Sequence, residues 1–272
     1  MKELSGDYWE RLYSRTQEVL RLDEGEFDES QNEVERACLG TAVVCEPQAV
    51  NLALVGDLES ARYYFGVIEK FALLGYKNDE RYVYEDASGK GLFAKYSAMR
   101  SAALGAFFFG ESERDDYLRM AIQFLEGAIA EAQLAVASIG FEELAVYLVH
   151  LAQLSEWEKI RDIVDLRKSE FQRRDVPWGA ICGFVSEICR LKISGIGRLS
   201  DSEKIRLDSV FSSLMDVDRF ENPYHPALTA GVAVAISEIR AKNIFEVCDP
   251  IRTIQSIRFH PEWLESVYRR VD

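Results

Sequence analysis

The sequence predicts an all-α fold, an irregular stack or bundle of antiparallel helical hairpins with about 11–13 helices in a single domain spanning residues 1–272. Three observations carry this reading. Apolar residues recur at spacings of three and four rather than two, the period of a helix with one buried face. Gly, Pro, Ser and Asp punctuate the chain about every 15–25 residues, the length of one helix and its turn. Prolines stand where a first helical turn tolerates a missing N–H, at Pro47, Pro177, Pro226, Pro250 and Pro261. With 48% apolar residues the chain has material for a substantial core.

Taken in order, the helices are expected over 7–22, 28–45, 47–55, 57–74, 91–109, 113–137, 141–154, 156–171, 177–194, 201–216 and 226–247, with short ones at 250–258 and 261–270. Asp57, Ser112, Ser155 and Ser200 are expected N-caps, because a short oxygen side chain accepts from the open N–H groups of the first turn. Gly75, Gly110 and Gly140 are expected stops. Within 57–74, Leu58, Ala61, Phe65, Ile68 and Ala72 form one apolar stripe and are assigned to the core. The charged helix 155–175 pairs and opposes charges at spacings of three and four, as in Glu158, Arg161 and Asp162, and reads as a solvated face.

Charge bounds the function. The 46 acidic and 32 basic residues leave a net charge of −14, a field that repels nucleic acid and anionic membranes and speeds encounter with a basic partner. The excess sits at the N-terminal end, where residues 1–40 hold eleven acids and five bases. Uncharged runs such as Ala227–Ile236 are shorter than the roughly 18 residues that cross a bilayer. The opening MKELSGDYWERL is polar and acidic where a secretory signal is basic and then apolar, so the expected compartment is the cytoplasm. Cys38, Cys45, Cys182, Cys189 and Cys248 form no CxxC pair and sit in apolar helical contexts, as reduced core thiols do.

Catalytic and cofactor patterns do not emerge, and neither an enzyme nor a cofactor is expected. His150, His225 and His260 are scattered without the i, i+3 or i+4 partner of a helical metal site, and His150 reads as a packed helix residue. SGKG at 88–91 lacks the upstream glycine and following Ser/Thr of a phosphate loop. SGIGRL at 194–199 follows no strand and lacks a third glycine. No GxSxG-type signal supports a nucleophile.

Two acidic segments are the candidate partner-binding residues. LDEGEFDESQNEVE at 22–35 concentrates Asp23, Glu24, Glu26, Asp28, Glu29 and Glu33, but its glycine does not fall sixth as in an EF-hand loop, so no metal is expected. Its plain alternative is a solvated helix N-terminus, where carboxylates meet the positive end of the macrodipole. YKNDERYVYEDASGKG at 76–91 interleaves Tyr82 and Tyr84 with Asp79, Glu80, Glu85 and Asp86. Tyrosines supply broad contact area at low entropy cost, and the alternative is that these rings cap a helix stack.

The run from Ala49 and Leu52 through Gly56-Asp57 to Ala61, Phe65 and Ala72 resembles a tetratricopeptide-type helical hairpin over 49–72, departing from it at Ile68. Echoes at Ala121 and Ile160 follow at 60 and 39 residues, so no fixed period repeats. As an acidic, all-helical, motif-poor chain, the whole is similar in type to cytoplasmic immunity proteins of bacterial toxin systems. That resemblance implies a non-enzymatic inhibitor that presents carboxylates to a basic, nuclease-type toxin. Two alternatives stay open. One is a tetratricopeptide-like adaptor gripping a peptide with Arg62 and Lys70; the other is a helical enzyme or small-ligand pocket near His150 and Phe107–Phe109. The oligomeric state is not legible.

Overall fold

The computed structural model describes residue 21 and residues 31–79, 90–131, 141–167, 177–195, 200–214 and 234–242. The fold is all-α, and no strand occurs among the described residues. They fall into two compact units, one within Met1–Gln133 and one within Leu134–Ser266.

The first unit contains α1 (Gln31–Gly40), a π turn (Thr41–Cys45), α2 (Glu46–Val55), α3 (Leu58–Asp79), α4 (Lys90–Phe109) and α5 (Arg114–Glu131). The helices expected at 28–45 and 47–55 therefore follow one another without a break, with Pro47 in the first turn of α2 as expected. The π turn explains how. The Glu46 N–H donates to the Thr41 carbonyl five residues back, which widens the helix by one residue just before a proline that lacks its own N–H. The Thr41 hydroxyl reaches back to the Ala37 and Cys38 carbonyls at 2.9 and 3.1 Å, a contact that bends helices.

Gly56 ends α2 in the left-handed region at φ +88°. Its N–H donates to the Ala53 carbonyl at 3.2 Å and that of Asp57 to Leu52 at 2.9 Å, closing the last turn. Asp57 then caps α3 as expected, accepting from the Ser60 N–H at 3.1 Å. The Ser60 contacts hold its carboxyl below the usual range. A turn this tight makes α2 and α3 an antiparallel hairpin.

α3 runs past Gly75, the expected stop, to Asp79. Gly75 is an internal glycine because a Cβ there would lie 2.9 Å from Cys38 Sγ and 3.3 Å from Lys95 Cγ. Gly105 serves α4 in the same way, since its Cβ would meet Phe65 at 2.8 Å. Gly110 does stop α4, at φ +68°, with the Glu111 N–H donating to Ala106 at 2.8 Å. α5 begins at Arg114, so Ser112 is not its cap, and its hydroxyl donates to Glu113 instead. α4 is the central helix of the unit, touching α1, the π turn, α3 and α5. Phe65 stacks on Phe108 at 5.6 Å between ring centroids, and Ile68, Phe71, Met99 and Leu125 fill the core around it.

The second unit contains α6 (Phe141–Gln153), α7 (Trp157–Leu166), α8 (Pro177–Ile193) and α9 (Asp201–Leu214), with a further helical stretch at 234–242. Here α8 is central, touching α6, α7 and α9. Ser155 does not cap α7; it occupies the left-handed region at φ +62°, two residues before the helix begins. Ser200 forms a complete capping box with Glu203: its N–H donates to the Glu203 carboxylate at 2.9 Å, and the Glu203 N–H returns to its hydroxyl at 3.3 Å. Glu187 on α8 takes Arg190 at 2.7 Å and Arg206 of α9, clasping the two helices. The expected helices at 250–258 and 261–270, Gly140 and Cys248 lie outside the described residues.

Candidate functional site

The sequence-predicted binding residues fall largely outside what the structure describes. Asp23, Glu24, Glu26, Asp28 and Glu29, and likewise Glu80, Tyr82, Tyr84, Glu85 and Asp86, lie outside the described residues. Glu33 is in α1 and Asp79 ends α3, but their side chains are outside it as well.

What the structure does bring together is a set of buried polar groups that sequence reading missed. In the first unit Glu46, 1% exposed at the end of the π turn, meets Arg100 of α4 across 54 residues of chain. The guanidinium engages both carboxylate oxygens, Nη1 to Oε1 at 3.2 Å and Nη2 to Oε2 at 2.7 Å. The Ser101 hydroxyl donates to the same carboxylate. Burial is the largest single influence and lowers the Arg100 value, but the Glu46 charge, Tyr96 and the hydrogen bond to Glu46 together outweigh it and the guanidinium ends above its usual range. Two donors in a fixed fork, plus a hydroxyl, pin the central helix to the widened turn.

Close by in the same unit, Cys38 is fully buried and its thiol donates to the Phe71 carbonyl at 3.3 Å. Burial pushes that thiol up to about 12, against a smaller downward pull from the Lys95 cation. Lys95 is itself 1% exposed, with Nζ 5.9 Å from the centroid of the Phe124 ring. Nearer the surface, Tyr117 of α5 donates to Glu69 of α3. Burial first, then that bond to a carboxylate, raises the phenol above its usual range.

In the second unit a polar chain runs from buried His150, Gln153 and Glu238 out to half-exposed Lys242. His150 Nδ1 and Gln153 Oε1 are 3.0 Å apart, and Gln153 Nε2 donates to Glu238 Oε2 at 3.0 Å. Lys242 Nζ pairs with Glu238 Oε1 at 2.7 Å and donates to the Gln153 carbonyl at 3.2 Å. A carboxylate only accepts, so the Gln153 amide nitrogen must face Glu238 and its oxygen must face His150. With the amide oxygen facing it, the His150 ring carries a proton on Nδ1. The sequence reading of His150 as a packed helix residue agrees with its burial. Cys38, Cys45, Cys182 and Cys189 are all buried free thiols, as their apolar settings predict. Among the described residues no group of three or more His, Cys, Asp or Glu side chains is arranged to hold a metal ion.

The outer face of α3 is the other arrangement of note. Its inner stripe is as expected at Ala61, Phe65, Ile68 and Ala72, all buried, whereas Leu58 is 40% exposed and does not belong to it. Opposite lies a continuous solvent stripe of Glu59, Arg62, Tyr63, Gly66, Lys70 and Lys77, with half-buried Leu73 among them. Arg62 lies 4.4 Å from the Phe109 ring centroid and 3.6 Å from Glu111. At Gly66 an added Cβ would meet nothing within 4 Å. Arg62 and Lys70 are the cations that the adaptor alternative names from the sequence; the exposure of Gly66 between them is what the structure adds.

Compared with protein families, curated proteins and solved structures, the chain matches none of them. Among the described residues no helix is long and apolar enough to cross a membrane.

Proposed function

We propose that this chain is a protein-binding protein without catalytic activity of its own, and in its sharpest form an immunity protein that neutralises a basic, nuclease-type bacterial toxin in the cytoplasm. The observation that carries the reading is the net charge of −14 on a helical frame, with eleven acids against five bases in residues 1–40. A nuclease must be basic to hold phosphates, so an inhibitor gains both encounter rate and specificity by offering carboxylates to that surface. The buried charges in each unit support it in one respect. Glu46 and Glu238 are neutralised by Arg100 and Lys242 within their own units, so the acid excess is carried by the remaining carboxylates.

The test is co-expression with the product of the adjacent gene, scored for its toxicity alone, for host survival and for affinity at low and high salt. Protection is expected, with binding that weakens as salt rises. Reversing Asp28, Glu29 and Glu33 together is expected to weaken binding at least tenfold at low salt. A neighbouring gene product that is not toxic, or an affinity indifferent to both salt and charge reversal, sinks the reading.

One observation favours a second reading, an adaptor of the tetratricopeptide kind. The α2–α3 hairpin turns at a left-handed Gly56 followed by an Asp57 cap, and Arg62 and Lys70 are exposed beyond it. A peptide whose capture depends on either cation, with no effect of the 28/29/33 reversal, selects this reading over the first.

A further inference from the structure

We infer that the outer face of α3 is a docking surface for an acidic helical segment of a partner protein, which crosses α3 over Gly66 between Arg62 and Lys70.

The inference starts from the helical glycines. Gly75, Gly105 and Gly127 each have a packing reason to lack a side chain: a Cβ would meet Cys38 Sγ at 2.9 Å, Phe65 at 2.8 Å and Leu92 at 3.2 Å respectively. Gly66 has none. It lies mid-helix, exposed, with open space where its Cβ would project, and glycine is among the poorest residues for that position. A missing side chain on an outer face admits close approach of another backbone.

The flanking residues say what kind. Arg62 and Lys70 stand one turn to either side of Gly66, about 6 Å along the axis in each direction, and Lys77 continues the line two turns on. Glu59 is the one exposed acid of this stripe; half-buried Glu69 on its flank is taken up by the Tyr117 hydroxyl, and Glu111 lies 3.6 Å from Arg62, which leaves Lys70 and Lys77 to set the sign. Exposed Tyr63, at 49%, and half-buried Leu73 supply apolar contact beside the glycine. On a chain of net charge −14, a helix face of this sign is complementary to carboxylates, whereas the overall field disfavours a nucleic acid. This docking surface deepens the adaptor reading, whose Arg62 and Lys70 it uses, and calls on none of the carboxylates offered to a basic partner, so it fails separately from the immunity reading.

The experiment is fluorescence anisotropy of the full chain with a labelled, alanine-based helical peptide bearing glutamates on one face and small residues between them. A lysine analogue and a duplex DNA oligonucleotide serve as controls. The glutamate peptide is expected to bind. Binding should fall about tenfold in Lys70→Glu/Lys77→Glu and about tenfold in Gly66→Leu, while Gly66→Ala keeps the fold by circular dichroism and weakens binding less. The lysine peptide should be insensitive to both Gly66 substitutions and should gain, not lose, affinity in the charge-reversed variant. No binding of the glutamate peptide, equal binding of the DNA, or unchanged affinity in both the charge-reversed and Gly66→Leu variants overturns the inference. A dimer in sedimentation velocity that Gly66→Leu dissociates also overturns it, because the occupant is then a second copy of the chain.

Discussion

Among the described residues each unit buries one glutamate, and the two are neutralised in different ways. Glu46 is 1% exposed and receives a forked guanidinium from a distant helix, with the Arg100 side chain itself only 12% exposed. Glu238 is 4% exposed and receives an ammonium from one turn further along its own helix, on a Lys242 side chain that is 48% exposed. The first pair ties together elements 54 residues apart; the second is local, and its long-range link is the neutral amide of Gln153. The difference teaches that a buried carboxylate is structural in proportion to what its partner must give up. A buried partner cannot turn to water, whereas a half-exposed lysine can.

The comparison breaks most sharply at Arg100. Arg100→Ala strands the Glu46 carboxylate in the core, and removal of one member of a buried pair costs about 3–5 kcal/mol. Urea unfolding followed by circular dichroism should show that loss with little change at 1 M salt, because the pair lies away from solvent. A loss below about 1 kcal/mol would show that water reaches Glu46 and that the contrast between the pairs is empty.

How far this was legible in the sequence depends on the range of the interaction. The apolar stripe Ala61, Phe65, Ile68, Ala72 and the caps at Asp57 and Ser200 are local, written within one or two turns, and they were readable. The run-through at Pro47 and the burial of Gly75 were not, because each is decided by a residue far along the chain: the π turn packed on α4, and Cys38 with Lys95. Nothing near Glu46 in the sequence marks it, and only Arg100, 54 residues later, makes it a core residue. The acidic segments at 23–33 and 79–86 stay a sequence-level expectation, since their side chains lie outside the described residues.

The core of the first unit offers a second, pH-dependent contrast with its surface. Cys38 has its thiol raised by burial from 9.0 to about 12. A raised acid binds its proton more tightly when folded, so its contribution is complete below about pH 9 and is lost as pH climbs towards 12. Between pH 9 and 11 the loss is on the order of 2–3 kcal/mol. Cys38→Ala should start less stable at neutral pH through the lost packing, yet show a flatter decline in alkaline urea titrations. An identical alkaline slope in both proteins would mean that the buried thiol is not what the rising pH attacks.

At Lys242 the expected effect is smaller. Lys242→Met keeps the aliphatic stem and removes a charge that is half in water, so the cost is about 0.5–1 kcal/mol. Gln153 still donates to Glu238 in that variant. The wild-type contribution should shrink in 1 M salt, the opposite of the Arg100 result. If Lys242→Met costs as much as Arg100→Ala, exposure of the partner is not the governing variable and the two units obey one rule.

Gly66 gives an effect as small as that at Lys242 and of the opposite sign. For an isolated chain, an exposed mid-helix glycine with open space around its Cβ is a net loss against alanine, so Gly66→Ala should stabilise by about 0.5–1 kcal/mol. Gly105→Ala, where Phe65 stands 2.8 Å from the new Cβ, should instead destabilise the chain. Thermal unfolding of the two variants side by side separates a glycine retained for internal packing from one that the fold does not need. A gain in stability at residue 66 with a loss in glutamate-peptide affinity ties that residue to recognition, because internal packing and propensity would move folding alone.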